Sequence, residues 1–104
     1  LVVSSINRYV QNIQAIAGQA ADTLLTIENV RMTIILFQLK NDVIGISARS
    51  TGNLNVQDIM EKFGGGGHQS VAGAQVRNTN MAELKARVIE VAKKYIVESD
   101  SISN

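Results

Sequence analysis

The segment that most restricts the fold of this chain is residues 31–39, which carry apolar side chains on both alternating sides. β-Branched and aromatic residues are frequent in it, which is typical of a strand. Side chains of a strand point alternately to the two faces of its sheet, so this segment predicts a central strand that is covered on both faces. The rest of the chain therefore has to supply helices for both faces of a sheet.

A second strand is predicted directly after this one. Asn41 and Asp42 favour a tight turn, and residues 43–50 alternate in character. One face of this strand is apolar and carries Ile44, Ile46 and Ala48, whereas the other carries Val43, Gly45, Ser47 and Arg49. Two strands joined by a tight turn run antiparallel, which excludes an all-parallel sheet.

Two helices are predicted around this hairpin. Apolar residues spaced three and four apart indicate an amphipathic helix over residues 6–25, with Ser4 or Ser5 as its N-cap. After the hairpin, Asn55 is predicted to cap a short helix over residues 56–63. Its apolar residues indicate that this second helix also packs against the sheet.

The last third of the chain predicts a further strand and a long helix. Residues 70–77 favour one helical turn followed by a strand, and Asn80 with Glu83 resembles a capping box at the start of the final helix. The polar end, residues 98–104, is predicted to fray. Together these elements predict one α/β (α+β) domain over residues 1–104, a small mixed β-sheet flanked by helices.

Composition and charge exclude several classes of protein. Ten Lys and Arg residues against nine Asp and Glu residues give a net charge of +1, too balanced for a general nucleic-acid coat protein. The absence of cysteine excludes disulfides, cysteine-ligated zinc and a thiol nucleophile. No apolar run approaches the roughly 20 residues of a membrane-spanning helix. Because the chain begins without a Met or a leader, we expect it to be a fragment of a larger protein.

Four consecutive glycines, Gly64–Gly67, admit two interpretations. Glycine runs often serve as flexible connectors. This one is short, directly follows a predicted helix and precedes His68, so the alternative is a nest of backbone N–H groups that binds an anion. Neither the dinucleotide fingerprint nor the P-loop pattern fits the run.

Two side chains are candidates to act together with this glycine run: His68, which directly follows it, and Arg49 of the second predicted strand. His68 is the only histidine, so a complete metal site in this chain is not expected. His68 is either a structural residue or a donor to phosphate and a stacking partner for a base. Arg49 either forms a surface ion pair or offers its forked donors to phosphate, since Gly45 and Ser47 leave space beside it. The carboxylates show no spacing that builds a general acid and base pair.

Several short motifs together resemble the DHH-associated domain of the DHH phosphoesterases. They are Ile46–Ser50, Asn55–Val56 followed by Ile59–Glu61, Gly64–His68 and Ala72–Ala74. The resemblance covers about residues 5–97 and is strongest to the C-terminal domain of cyclic di-AMP phosphodiesterases of the GdpP/YybT type. In that family this domain closes over a DHH domain that holds two metal ions, usually manganese.

The resemblance implies a function and a set of site residues. It implies a nucleotide- and phosphate-binding domain of a metal-dependent phosphodiesterase that hydrolyses cyclic di-AMP, and short oligonucleotides, to linear products. Substrate would be bound by Arg49, Ser50, Gly64, Gly65, Gly66, Gly67 and His68, with Ser47, Gly52 and Asn53 as further neighbours of the pocket. No catalytic or metal-binding residue is expected here, so this fragment alone should be inactive.

The same resemblance implies partners and a location. The partners are the DHH domain of the same chain, which would hold the manganese, and a second copy in a homodimer. The expected location is the cytoplasm, on the cytoplasmic side of a membrane-anchored parent protein, with no membrane contact by this domain.

Two other classes of function remain open on the sequence. The domain could be a non-catalytic RNA-binding or assembly module, as at the C-terminal end of alanyl-tRNA synthetases. Against this, all four aromatic residues occupy apolar-patterned positions and leave no stacking platform for single strands: Tyr9, Phe37, Phe63 and Tyr95. A structural domain without a ligand is the third class.

Overall fold

A five-stranded mixed sheet forms the centre of the molecule in a computed structural model, which describes residues 1–103. The strands are β1 (Val2–Ile6), β2 (Met32–Lys40), β3 (Val43–Ser50), β4 (Gly66–Gly67) and β5 (Val71–Arg77). The helices are α1 (Ile13–Leu25), α2 (Val56–Glu61) and α3 (Met81–Ser103). The predicted α+β class with helices around a mixed sheet is confirmed.

The strands lie in the order β1-β2-β3-β5-β4. β1 runs parallel to β2, and every other neighbouring pair is antiparallel. The predicted hairpin is confirmed: β2 and β3 flank the turn at Asn41 and Asp42, and β3 has the predicted bounds. Gly66 and Gly67 add a short fifth strand at the edge, which the sequence analysis did not predict.

Helices cover both faces of the sheet, as the apolar pattern of β2 requires. On one face α1 packs on Ile35 and Phe37 through Ile13, Ala17 and Ala21. On the other face the alternate side chains of β2 and β3, including Ile34 and Ile46, form a larger core with residues of α2 and α3. The predicted apolar face of β3, with Ile44, Ile46 and Ala48, therefore lies in the larger core.

The N-terminal segment departs from its predicted structure. Residues 2–6 form β1, parallel to β2 in the register Val2 to Thr33, and α1 begins only at Ile13. The predicted caps Ser4 and Ser5 are therefore strand residues. The helical spacing that starts at Ile6 corresponds to a helix only from Ile13 onwards. β1 depends on hydrogen bonds with a strand about 30 positions later, and such a distant partner cannot be recognised from local periodicity.

The other helix ends follow local chemistry. The Asn55 side chain accepts a hydrogen bond from the Gln57 backbone N–H at 2.9 Å, and that of Asn80 accepts one from Glu83 N–H at 2.8 Å, which confirms both predicted caps. The predicted helical turn at the start of residues 70–77 is absent, since β5 begins at Val71 after a bend.

Three further predictions concern the end of the last helix, the position of Tyr9 and membrane-spanning helices. The segment predicted to fray is helical to Ser103, and Asp100 in it pairs with Arg31; Asn104 lies outside the described residues. Tyr9 is 73% exposed and does not occupy an apolar position, because it lies before α1 rather than inside it. Within residues 1–103, no helix has both the length and the apolar character to cross a membrane.

Candidate functional site

A cleft of about 1030 Å³ lies on the α1 side of the sheet. α1 packs on β2 and β3 and leaves the β5 and β4 part of this face uncovered. The cleft therefore has α1 as one wall and the strands as its floor. Its lining residues are Asn12, Gln14, Ala15, Gly18, Gln19, Asp22, Phe37, Ile46, Ser47, Arg49, Gly66, Gly67, His68, Val71, Ala72, Gly73, Ala74 and Gln75.

The floor contains a row of small residues across three strands. Ser47 of β3 lies opposite Gly73 of β5, which lies opposite Gly66 of β4. Residues directly opposite each other in antiparallel strands share one face, so these three positions form one row. A Cβ added to Gly66 would meet no atom within 4 Å. Gly66 therefore leaves the backbone accessible at the floor of the cleft, whereas a Cβ at Gly73 would lie 2.8 Å from the Ile46 carbonyl oxygen.

Arg49 lies on this same face of β3 and its guanidinium is held by neighbours. Its Nε donates to Asp22 Oδ1 at 2.8 Å, and its Nη1 donates to the Ala48 carbonyl at 3.0 Å. The side chain of Arg49 is 16% exposed, whereas that of Asp22 is 65% exposed. The sequence offered a surface ion pair and a phosphate ligand as alternatives, and the structure contains the ion pair at the edge of the cleft.

His68 follows β4 at the rim of the cleft. Its backbone N–H donates to the Val71 carbonyl at 2.7 Å, which closes the turn through Gln69 and Ser70 between β4 and β5. The His68 residue as a whole is exposed. Backbone bonding thus fixes its position, while the imidazole can contact a molecule in the cleft.

The glycine run divides into two halves with different surroundings. Gly64 has φ +80°, and the N–H groups of Gly64 and Gly65 donate to the carbonyls of Glu61 and Met60. This is the double hydrogen bond of a Schellman helix end. A Cβ at Gly65 would lie 2.1 Å from the Gly73 carbonyl oxygen. The run is a defined helix stop followed by a strand, not a flexible connector.

The structure brings together about half of the predicted site. Arg49, Gly66, Gly67 and His68 line the cleft, and so does the predicted neighbour Ser47. The remaining predicted residues do not line it: Ser50, Gly64, Gly65, Gly52 and Asn53. Whether the first group contacts a ligand stays a prediction.

Ser50 is next to Arg49 in sequence but has a different role in the structure. It is 3% exposed, and its hydroxyl lies 2.7 Å from the Leu54 carbonyl and 3.0 Å from the Gln69 carbonyl. Adjacent residues of a strand face opposite sides, so Ser50 lies on the side away from the cleft. There it fixes the loop after β3 to the turn after β4.

The α1 wall of the cleft was missed by the sequence analysis. Asn12, Gly18, Gln19 and Asp22 line the cleft from this helix or its N-cap, and Gln75 does so from β5. A signal for the helix residues existed: Ala15, Gly18 or Gln19, and Asp22 recur with helical spacing beside the apolar stripe. Nothing in the sequence indicates that this side of α1 faces the β5 and β4 edge of the sheet.

The residues that the structure describes contain no group of three or more His, Cys, Asp or Glu side chains that could hold a metal ion. The cleft itself has one histidine and one carboxylate, His68 and Asp22. This donor set does not fit a two-ion manganese centre, which the resemblance places in a separate DHH domain.

Comparison with known proteins assigns the family. The model of the DHHA1 domain matches residues 2–98. The chain is 46% identical over 80 residues to the cyclic-di-AMP phosphodiesterase PdeA of Listeria monocytogenes, and 40% identical over 82 residues to GdpP of Geobacillus thermodenitrificans. The matches cover 77% and 79% of this chain. They span 12% of the length of either relative.

Solved structures share the fold at lower identity. An exopolyphosphatase-related protein of Bacteroides fragilis superposes with a TM-score of 0.69 at 23% identity, over 90% of this chain and 30% of that protein. The C-Ala domain of Aquifex aeolicus alanyl-tRNA synthetase superposes with a TM-score of 0.66 at 14% identity, over 86% of this chain and 87% of that one. At these identities the likeness shows a common fold only. The family match and the identity to the two phosphodiesterases show that this chain belongs to the DHHA1 domain family.

Proposed function

We propose that this domain binds cyclic di-AMP in the cleft, as the substrate-binding part of a phosphodiesterase that hydrolyses it to a linear product. The observation that carries the proposal is the meeting of Arg49 with Gly66, Gly67 and His68 around one cleft. The 46% identity to a cyclic-di-AMP phosphodiesterase supports this choice of ligand. Short oligonucleotides carry the same phosphodiester and base groups and are proposed as further substrates.

Each residue has a separate task in this proposal. Arg49 donates to phosphate oxygens, because a guanidinium has five N–H donors and only two of them are used by Asp22 and Ala48. Gly66 lets a phosphate or a base approach the backbone closely, because a Cβ there would meet no atom within 4 Å. Gly67 beside it lines the cleft with its exposed backbone. His68 donates a hydrogen bond to phosphate or stacks on a base from the rim.

Hydrolysis is assigned to a DHH domain that would accompany this one. Manganese ions held there would supply water activation and charge neutralisation. The residues of this chain would bind and orient the dinucleotide for that chemistry. We further propose that the domain lies on the cytoplasmic side of a membrane-anchored parent, and that the parent forms a homodimer.

The test is a titration of the ¹⁵N-labelled chain with cyclic di-AMP. We expect chemical-shift changes at Gly66, Gly67 and His68. Replacing Arg49 by alanine should weaken binding about 10- to 100-fold, since a charge-assisted hydrogen bond contributes about 1.5–3 kcal/mol. Arg77→Ala is the matched control, because Arg77 carries the same charge on β5 outside the cleft lining.

Two results would contradict the proposal. Equal affinity of the Arg49→Ala variant and the unchanged chain would remove the role of Arg49. Shift changes that avoid the cleft altogether would place the ligand elsewhere. Titration with tRNA over a range of salt concentrations tests the RNA-binding alternative, which predicts a steep loss of affinity as salt rises.

A further inference from the structure

We infer that Gly18 and Asp22 of α1 position the guanidinium of Arg49 for an anionic ligand, which makes α1 part of the binding machinery. The inference rests on the proposed function and deepens it. It concerns a helix to which neither the motifs nor the family resemblance assign a role. Two independent contacts of Arg49 support it.

The first contact is the ion pair with Asp22. Arg49 Nε donates to Asp22 Oδ1 at 2.8 Å across the cleft edge, between a helix and a strand. The carboxylate is 65% exposed while the guanidinium side chain is 16% exposed. An ion pair with so exposed a partner contributes little to folding stability. Its main effect is to hold one end of a long, flexible side chain.

The second contact is the close approach of the Arg49 guanidinium to Gly18, which has no side chain. A Cβ there would lie 2.9 Å from Arg49 Nη2. Gly18 is buried in the middle of α1, a position where glycine is unfavourable for a helix. Gly18 lies one turn before Asp22, so both residues are on the same side of α1. The helix thus accepts a poor helix former where the guanidinium needs the space.

Together these contacts fix the orientation of Arg49. Asp22 holds Nε, the Ala48 carbonyl holds Nη1, and Gly18 leaves space for Nη2. Of the five N–H groups two are used, which leaves three on Nη1 and Nη2 for a ligand. A guanidinium already fixed in this way loses less conformational freedom when phosphate binds than a free one would. Asp22 is therefore a positioning residue rather than a ligand contact.

The test measures cyclic di-AMP affinity by calorimetry on the full 104-residue chain. We expect Asp22→Ala to weaken binding about 3- to 10-fold, and Asp22→Glu to recover most of this loss because it keeps the charge. Glu28→Gln is the matched control, since it removes one negative charge just after α1 and outside the cleft lining. The NMR signal of Arg49 Nε–H should broaden or shift in Asp22→Ala before any ligand is added.

Gly18→Ala separates positioning from stability. Alanine favours the helix, so the thermal midpoint should be unchanged or higher, while affinity falls because Arg49 Nη2 is displaced. A merely structural role of Gly18 would not lower affinity in a more stable variant. In the Arg49→Ala background, Asp22→Ala should have no further effect.

The outcomes distinguish this inference from the proposed function. If Arg49→Ala weakens binding but Asp22→Ala and Gly18→Ala do not, the positioning role is wrong and the proposed function stands. Tighter binding in Asp22→Ala would also overturn it, because Asp22 would then be blocking Arg49. If the unchanged chain does not bind cyclic di-AMP, or Arg49→Ala binds equally well, the proposed function fails and the inference fails with it.

Discussion

At the residue scale, Arg49 and Ser50 show how neighbours in sequence acquire different tasks. The family resemblance treats them as one Arg-Ser unit that grips substrate. In the structure Arg49 faces the cleft, while Ser50 is buried on the opposite side of β3. Strand alternation makes this separation predictable once the strand is identified. Local spacing cannot show that Ser50 has carbonyl partners in two loops.

Ser50→Ala is expected to lower stability rather than affect ligand contacts directly. The variant removes the hydroxyl donor and leaves the nearby carbonyls of Leu54 and Gln69 without it, at a cost of about 1–3 kcal/mol in the free energy of unfolding. Urea unfolding measures this loss. Ser47→Ala is the control, since Ser47 lies on the same strand but lines the cleft. A larger loss of stability in Ser47→Ala than in Ser50→Ala would contradict this assignment.

At the scale of elements, the tetraglycine segment combines a helix end with a strand. Gly64 and Gly65 close α2, and Gly66 and Gly67 pair with β5. The sequence indicated that the helix ends at the first glycine, because glycine is the usual residue of a Schellman motif. It could not indicate the strand, because two glycines carry no alternation to read.

Alanine substitutions within this segment should have opposite effects. Gly65→Ala should destabilise the fold by about 1–3 kcal/mol, because its Cβ would lie 2.1 Å from the Gly73 carbonyl oxygen. Gly66→Ala should keep or raise stability by up to about 1 kcal/mol, because its Cβ meets no atom within 4 Å. That methyl group would project at the floor of the cleft and should weaken cyclic di-AMP binding. Thermal unfolding and calorimetry measure the two effects.

These two glycines serve as controls for each other. Both substitutions add one methyl group within the same short segment, so a general effect of lost flexibility would appear in both. Unchanged affinity in Gly66→Ala, together with unchanged stability in Gly65→Ala, would mean that the segment is a flexible connector after all.

The N-terminal elements show where local pattern misleads. Ile6 fits the helical spacing of the following residues, but it is the last residue of β1, whose partner β2 lies far along the chain. Thr33 of β2 also contacts α1, because its hydroxyl donates to the Ala21 carbonyl at 2.8 Å. The helical pattern of α1 does not predict this contact. Both features depend on the sheet, so they could be predicted only after its strand order is known.

At the scale of the whole molecule, the cleft exists because a five-stranded sheet is wider than the single helix on one of its faces. α1 covers β2 and β3, and the predicted polar face of β3 continues onto Gly73 and Gly66 beyond it. The sequence correctly predicts the face of β3 that carries Ser47 and Arg49, which lines the cleft. It does not predict the width of the sheet, and the α1 wall was missed for that reason.

On the α3 side of the sheet, opposite the cleft, a bidentate ion pair links Asp100 of α3 to Arg31, just before β2. The Arg31 Nη1 and Nη2 atoms donate to the two Asp100 oxygens at 3.0 and 2.9 Å. These hydrogen bonds, more than the charge attraction, lower the pKa of Asp100 below its usual 3.8. The same pair raises the pKa of Arg31.

This pair predicts a pH-dependent contribution to stability. Because the folded state lowers the pKa of Asp100, its contribution is complete above the unfolded value of 3.8 and disappears as the pH falls through the lower folded value. The raised pKa of Arg31 has the opposite sign: its contribution is present at neutral pH and is lost only at strongly alkaline pH. Between these limits the pair should stabilise α3 against the sheet at constant strength.

Asp100→Asn tests this contribution, and Glu98→Gln on the same helix is the control. Urea unfolding should show the unchanged chain more stable than Asp100→Asn at neutral pH, with the difference shrinking below pH 3.8. The effect should be small, since Arg31 and Asp100 are 47% and 49% exposed, and added salt should reduce it by screening. A difference that persists unchanged in acid would have to come from the helix end itself rather than from the charge on Asp100.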